Sequence, residues 1–204
     1  SDMGGSSYIA SIVDSEREQN PGRVLLLDAG DIIDGAPIGD LFYGRSVVEV
    51  MNAMGYDAMT VGNHELARYG GDYDYGVITI ENDYLMDLKG IAEFPMLAAN
   101  VLINGSKPFE SYVIENIGGI RIGIIGVTTQ FPPPENVEIL DPEITAQGCV
   151  EEIENESDII IALTHLGLGA DESLASHVEN IDIIIGGHSH TVMWDPENIG
   201  GTMI

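Results

Sequence analysis

Four of the chain's five histidines sit in short, glycine-bearing polar stretches that also offer Asp, Asn or Glu. The stretches are Gly30-Asp31, Gly62-Asn63-His64-Glu65, Thr164-His165-Leu166-Gly167 and Gly187-His188-Ser189-His190. Carboxylate, amide and imidazole donors in this mixture suit a divalent cation such as Mn, Zn, Fe, Co or Ni, and do not separate one from another. Glycine beside each donor lets the backbone turn sharply, so side chains far apart along the chain can converge. The competing reading, a set of unrelated loop histidines, needs every one of these stretches to follow a strand by coincidence. His177 lies apart, in a helical pattern, and is assigned no role.

Convergence requires elements that deliver each donor to one place. Apolar runs at 24–28, 58–61, 96–101, 159–164 and 182–185 read as strands buried on both faces. Four of them run directly into the polar stretches, and in α/β sheets the carboxyl ends of strands are where ligands bind. Residues 111–115 and 120–127 flank Gly118-Gly119 and read as a β-hairpin. Helical spacing marks 6–18, with Tyr8, Ile9, Ile12 and Val13 on one face, and 46–54, stopped by Gly55. Further helices are expected at 142–157 and 171–179, an excursion from the core at 69–87, and a rigid loop at Phe131-Pro132-Pro133-Pro134. Strands alternating with helices make this an α/β chain.

The length of 204 residues allows one sizeable domain, and a hydrophobic fraction of 44% supports a packed core. With 34 acidic against 7 basic residues the net charge is −27, which disfavours nucleic acid and anionic membranes as partners. No apolar run approaches the ~20 residues of a membrane span. A phosphate-bearing substrate would be repelled as well, unless bound cations supplied the positive charge. Cys149 is the single cysteine and reads as a small buried apolar residue. The oligomeric state is not legible.

Taken in order, Gly30-Asp31, Gly62-Asn63-His64-Glu65, His165 and Gly187-His188-Ser189-His190 resemble the motifs of the calcineurin-like metallophosphoesterases. Asn100-Val101, Thr164-His165-Leu166-Gly167 and the closing Thr191 resemble the branch of 5′-nucleotidases and cyclic-nucleotide phosphodiesterases. The resemblance implies a two-sheet β sandwich flanked by helices, with two divalent metals at the strand ends. It implies that Asp31 bridges the metals and that Asn63, His165 and His188 hold the second. His190 is then assigned to the first metal, and His64 is a catalytic residue beside the phosphate rather than a ligand. The implied reaction is metal-assisted hydrolysis of a small phosphorylated substrate, a nucleotide, in an extracellular or periplasmic setting.

Three departures accompany the resemblance. The family's opening Asp-x-His strand has no counterpart, since Asp2-Met3-Gly4 lacks the histidine. Ala67 stands where nucleotidases place an Asp that orients the catalytic histidine. The branch's C-terminal domain for the base would follow Ile204. Residues 1–204 are therefore expected to form one metallophosphoesterase domain, incomplete at both ends, and the alternative function is a catalytically inactive metal-binding fragment. Glu65 is expected as a structural partner of its loop, Asp28 as either a support for the metal ligands or a structural residue at its strand end, Asp34 and Asp40 as loop carboxylates, and Trp194 as a cap on the core.

Overall fold

A computed structural model describes residues 5–33, 39, 41–67 and 84–204. Its elements alternate: α1 (Ser6–Gln19), β1 (Leu27–Asp28), α2 (Arg45–Met54), β2 (Ala58–Thr60), α3 (Asn63–Ala67), α4 (Tyr84–Ile91), β3 (Met96–Leu97) and β4 (Val101–Ile103). There follow β5 (Tyr112–Ile117), β6 (Ile120–Thr128), β7 (Val137–Ile139), α5 (Pro142–Ile153), β8 (Ile159–His165), α6 (Leu168–His177), β9 (Ile183–Gly186), β10 (Asn198–Ile199) and β11 (Thr202–Met203). Asp2, Asp34, Asp40 and most of the 69–87 segment lie outside the described residues.

The strands form a three-stranded sheet of order β1-β2-β3, a six-stranded sheet of order β10-β11-β9-β8-β6-β5, and a separate β4-β7 pair. Ala58 and Leu97 of the smaller sheet pack face to face against Ile124 and Leu163 of the larger one. Outside the smaller sheet, Met59 and Met96 meet Val48 and Met51 of α2 and Leu85 and Leu88 of α4. Outside the larger sheet, Ile125 and Ala162 meet Val150 and Ile153 of α5 and Leu174 of α6. The order of layers is helix, sheet, sheet, helix, the sandwich the sequence implied. The sheets leave no room for a side chain at Gly126, where an added Cβ would stand 2.3 Å from Leu97 Cβ.

Parallel pairing decides where the loops go. β1, β2 and β3 run parallel, as do β6, β8 and β9, with Thr128 beside His165 and Thr164 beside Gly186. Each sheet thus ends its parallel strands along one edge, and the donor-bearing loops leave from there.

Several boundaries differ from expectation. Only Leu27 and Asp28 of the 24–28 run join a ladder, because β2 begins at Ala58. Leu26 instead exchanges bonds with Asp57, taking its Oδ2 on the amide at 2.7 Å and its N–H on the carbonyl at 2.8 Å. The 96–101 run breaks into β3 and β4, since Ala98 and Ala99 bond across to Glu110 and Gly126. Asn100, fully buried, holds that break by bonding Thr128 and Leu140. On α1 only Val13 is buried, and Tyr8, Ile9 and Ile12 face solvent, so the apolar stripe does not enter the core. Trp194 is 91% exposed and caps nothing. Cys149 is buried, as expected. Among the described residues no helix is long and apolar enough to cross a membrane.

The first turn of α6 fastens the larger sheet through Asp171, a buried carboxylate that accepts the Thr164 hydroxyl at 2.5 Å. Burial pushes the Asp171 carboxyl up to about 6. A raised acid favours the folded state at low pH, and that contribution fades as pH rises from about 4 through about 6. Asp171→Asn removes the titration. Its stability relative to the parent should therefore rise by roughly 2–3 kcal/mol between pH 4 and pH 7, read from urea midpoints across pH. A difference that stays flat over that range would count against the buried, ionisable carboxyl.

Candidate metal centre

The centre draws on both sheets. Asp31 lies in the loop after β1, Asn63 and His64 open α3 after β2, His165 ends β8, and His188 and His190 follow β9. His165 is 1% exposed, and its Nε2 stands 2.9 Å from Asp31 Oδ2 and 3.1 Å from Asn63 Oδ1. Two ligands each about 2.1 Å from one ion, and at right angles about it, are ~3 Å apart, so these spacings are those of donors sharing a cation. The His188 ring meets the His165 ring edge-on, with centroids 5.1 Å apart. Asp31, His165 and His188 each present a ligand atom within 4.8 Å of the others.

The orientation of His165 follows from its other nitrogen. Nδ1 lies 2.5 Å from the Ala29 carbonyl oxygen, which can only accept, so Nδ1 carries a hydrogen and Nε2 is aimed at Asp31 and Asn63. His64 is placed differently. Its backbone N–H donates to Asp31 Oδ1 at 2.9 Å, while its half-exposed ring keeps Nε2 3.9 Å from Asp31 Oδ2. It borders the donor group without entering it. His190 lines the same open cavity of about 390 Å³ as Asp31, His165 and His188, yet is not one of the three close donors. His177 is remote, on the surface of α6 beside Ser173 and Glu143.

Glu65 joins the two loops of the smaller sheet. Its fully buried carboxylate accepts the amides of Gly62 at 2.7 Å, Asp31 at 2.9 Å and Ile33 at 3.3 Å. Position 62 has no room for a side chain, because a Cβ there would stand 2.2 Å from Asp31 Oδ1 and 2.8 Å from Glu65 Oε2. Asp28 plays a local part and accepts the Gly30 amide at 2.9 Å. The loop-partner role expected of Glu65 matches these bonds, and of the two roles open to Asp28 the strand-end structural one does. Asn100, Asp171 and Ser189 are supports that sequence reasoning missed. A polar residue one position from a strand end or helix start was the available signal, and it is a weak one.

Charge and backbone strain concentrate here. Burial would raise Asp31, but the His165 ring and the His64 amide hold its carboxyl below the usual range. Burial disfavours protonated His165, yet its bonds to Asp31 and the Ala29 carbonyl leave the imidazole raised overall. Burial and then repulsion from His165 lower His188. Burial and the neighbouring Asp31 charge push Glu65 up to about 7. Asp31, His188 and His190 take left-handed backbone angles, with φ of 63°, 74° and 52°. Non-glycine residues adopt that region at a cost of roughly 1–2 kcal/mol each, and such outliers cluster at functional sites.

Glu65→Gln places amide hydrogens against backbone N–H groups and leaves at least one buried donor without an acceptor. We expect a loss of roughly 2–4 kcal/mol in urea unfolding. A midpoint unchanged from the parent's would mean the loops hold without this carboxylate.

Comparison with known proteins agrees with the geometry. The family described as calcineurin-like phosphoesterase matches residues 1–192. Bovine 5′-nucleotidase is 34% identical over 204 residues, covering 94% of this chain and 33% of its own length. Snake venom 5′-nucleotidase from Gloydius brevicauda is 35% identical over 193 residues, covering 88% of this chain and 31% of its own. The crystal structure of a 5′-nucleotidase precursor from Thermus thermophilus superposes with a TM-score of 0.80 at 31% identity, covering 94% of this chain and 37% of that one. The chain thus spans about a third of the curated relatives it matches. The family match over most of the sequence, the four-layer sandwich and the donors gathered at its strand ends agree: the chain belongs to the calcineurin-like phosphoesterases.

Proposed function

We propose that residues 1–204 are a metallophosphoesterase domain whose reaction is hydrolysis of a phosphoester bond in a nucleotide. The observation that carries this reading is the gathering of Asp31, Asn63, His165 and His188 from loops of both sheets, with His64 at their border. Relatives named as 5′-nucleotidases support the choice of a nucleotide as substrate.

The donor set fits a divalent transition-metal ion: one carboxylate, one amide oxygen and neutral imidazole nitrogens, one of them oriented by a backbone carbonyl. Asp31, Asn63, His165 and His188 would hold it, and His190 stands on the same cavity wall for a second ion. When bound, such ions supply positive charge for phosphate oxygens and make a water molecule more acidic. In a chain of net charge −27 that positive charge is what admits a phosphate dianion.

The chain's own residues do the rest. His165 cannot rotate without losing the Ala29 carbonyl, so its Nε2 keeps one direction. Asp31 turns both oxygens to use, one toward His165 and one toward the His64 amide. The half-exposed His64 ring, its Nε2 3.9 Å from Asp31 Oδ2, would give a substrate oxygen beside Asp31 a hydrogen bond or a proton as the ester breaks. Ala67 brings no carboxylate to that ring.

In the protein that carries this chain, phosphate release from a nucleoside monophosphate should need a divalent cation and stop with chelator. His64→Ala should lower kcat by roughly 10²–10⁴-fold and leave cation affinity nearly unchanged. His165→Ala should lose cation binding as well as turnover. No phosphate release with Mn, Co, Ni or Zn across nucleotides would sink the reading. Protons compete with a cation for His165 Nε2, whose titration is raised, so cation affinity should weaken as the solution is acidified. Calorimetric titrations at several pH values measure this, and an affinity indifferent to acid would exclude the imidazole as ligand.

A further inference from the structure

We infer that Ser189 is a positioning residue, whose hydroxyl latches the strained His188-Ser189-His190 loop to the start of α6. The inference rests on the proposed role of the two histidines in holding cations.

The loop has a reason to need a latch. His188 and His190 both take left-handed backbone angles, and Ser189 stands between them. Left-handed angles at two histidines so close together are unfavourable alone and persist where surrounding bonds over-determine them. Backbone bonds hold one side: Gly187 N–H to the Thr164 carbonyl of the neighbouring strand at 3.0 Å and Ser189 N–H to the Gly187 carbonyl at 3.0 Å. The Ser189 hydroxyl holds the other side, accepting the Leu168 amide at 3.1 Å and sharing a bond of 2.9 Å with the Thr191 hydroxyl.

The start of α6 is suited to this partner. Its N-cap is Gly167, which makes no side-chain cap; the Ala170 and Asp171 amides take the Gly167 carbonyl, and the first amide, that of Leu168, needs an acceptor from elsewhere. Ser189 supplies one from a loop 21 residues away in sequence. The two segments are in close contact, since a Cβ on Gly167 would stand 3.3 Å from Ser189 Cβ and 3.4 Å from His188 Cδ2. His165 lies two residues before Gly167, at the end of β8. The latch therefore sets the distance between the His165 and His188 rings, which meet edge-on.

A simple helix cap and a latch for ligands make different predictions. Loss of a cap lowers stability and leaves cation affinity in the folded protein untouched. Loss of the latch frees the His188 loop and weakens cation binding. The test is Mn²⁺ titration by calorimetry, with thermal unfolding alongside, on parent protein, Ser189→Ala and Ser189→Thr. Ser189→Ala should bind Mn²⁺ about 10-fold more weakly, at the low end for partners that orient metal ligands. Ser189→Thr keeps the hydroxyl and should restore affinity to near that of the parent. Equal affinity in the parent and Ser189→Ala, whatever the melting temperature, would overturn the latch and leave the cation site standing. Absence of Mn²⁺ uptake by the parent would instead overturn the cation reading beneath it. Should Ser189→Ala fail to fold, Leu168→Pro removes the amide that Ser189 accepts, at a first helical position where proline is tolerated. It should weaken Mn²⁺ binding by a smaller factor, and an affinity equal to the parent's would again overturn the latch.

Discussion

A carboxylate with no access to water holds the strand-end loops of the smaller sheet together. Glu65 is fully buried and neutralises the amide dipoles of Gly62, Asp31 and Ile33 at once. A buried charge is tolerable only when such donors surround it. The requirement runs both ways. The loops carrying Asp31 and Asn63 are irregular backbone whose N–H groups would otherwise lack partners in the interior. Asp31 can hold a left-handed conformation because its own amide is tied down. Gly62 must remain without a side chain because two carboxylates close over it.

From that point the rest of the arrangement follows by parallel pairing. β1 and β2 end together, as do β8 and β9, and the sandwich brings the two ends face to face. The bond from His165 to the Ala29 carbonyl closes the gap between sheets. One ligand set is thereby assembled from segments that share no local sequence. The helix that follows β8 contributes its first turn to the same end, through Asp171 on Thr164 and Leu168 on Ser189.

Much of this was legible in the residues. His165 was readable because an apolar run buried on both faces can only deliver its last side chain at the edge of the sheet. The β5-β6 hairpin was readable from Gly118-Gly119 between apolar runs, and the helix expected from residue 142 begins there as α5, although it ends at Ile153. Other features were hidden because they depend on what lies opposite. The stripe of Tyr8, Ile9 and Ile12 has helical spacing whether or not a surface meets it. Residues 24–26 are as apolar as Leu27, but find loop rather than strand beside them. Trp194 has the size of a core residue and sits in solvent. The supports Asn100, Asp171 and Ser189 hold backbone across sequence gaps, and no periodicity reports on bonds of that kind.

The crossing between His165 and the Ala29 carbonyl has a mechanical consequence. It makes the imidazole a sensor of the spacing between the two sheets, since a small parting of the layers releases Nδ1 and lets the ring turn. The packing of Ala58 and Leu97 on Ile124 and Leu163 resists such parting, because a gap of about 0.5–1 Å already forfeits a quarter to a half of a dispersion contact. The direction of the His165 ring is therefore only as fixed as the packing of the two layers against each other.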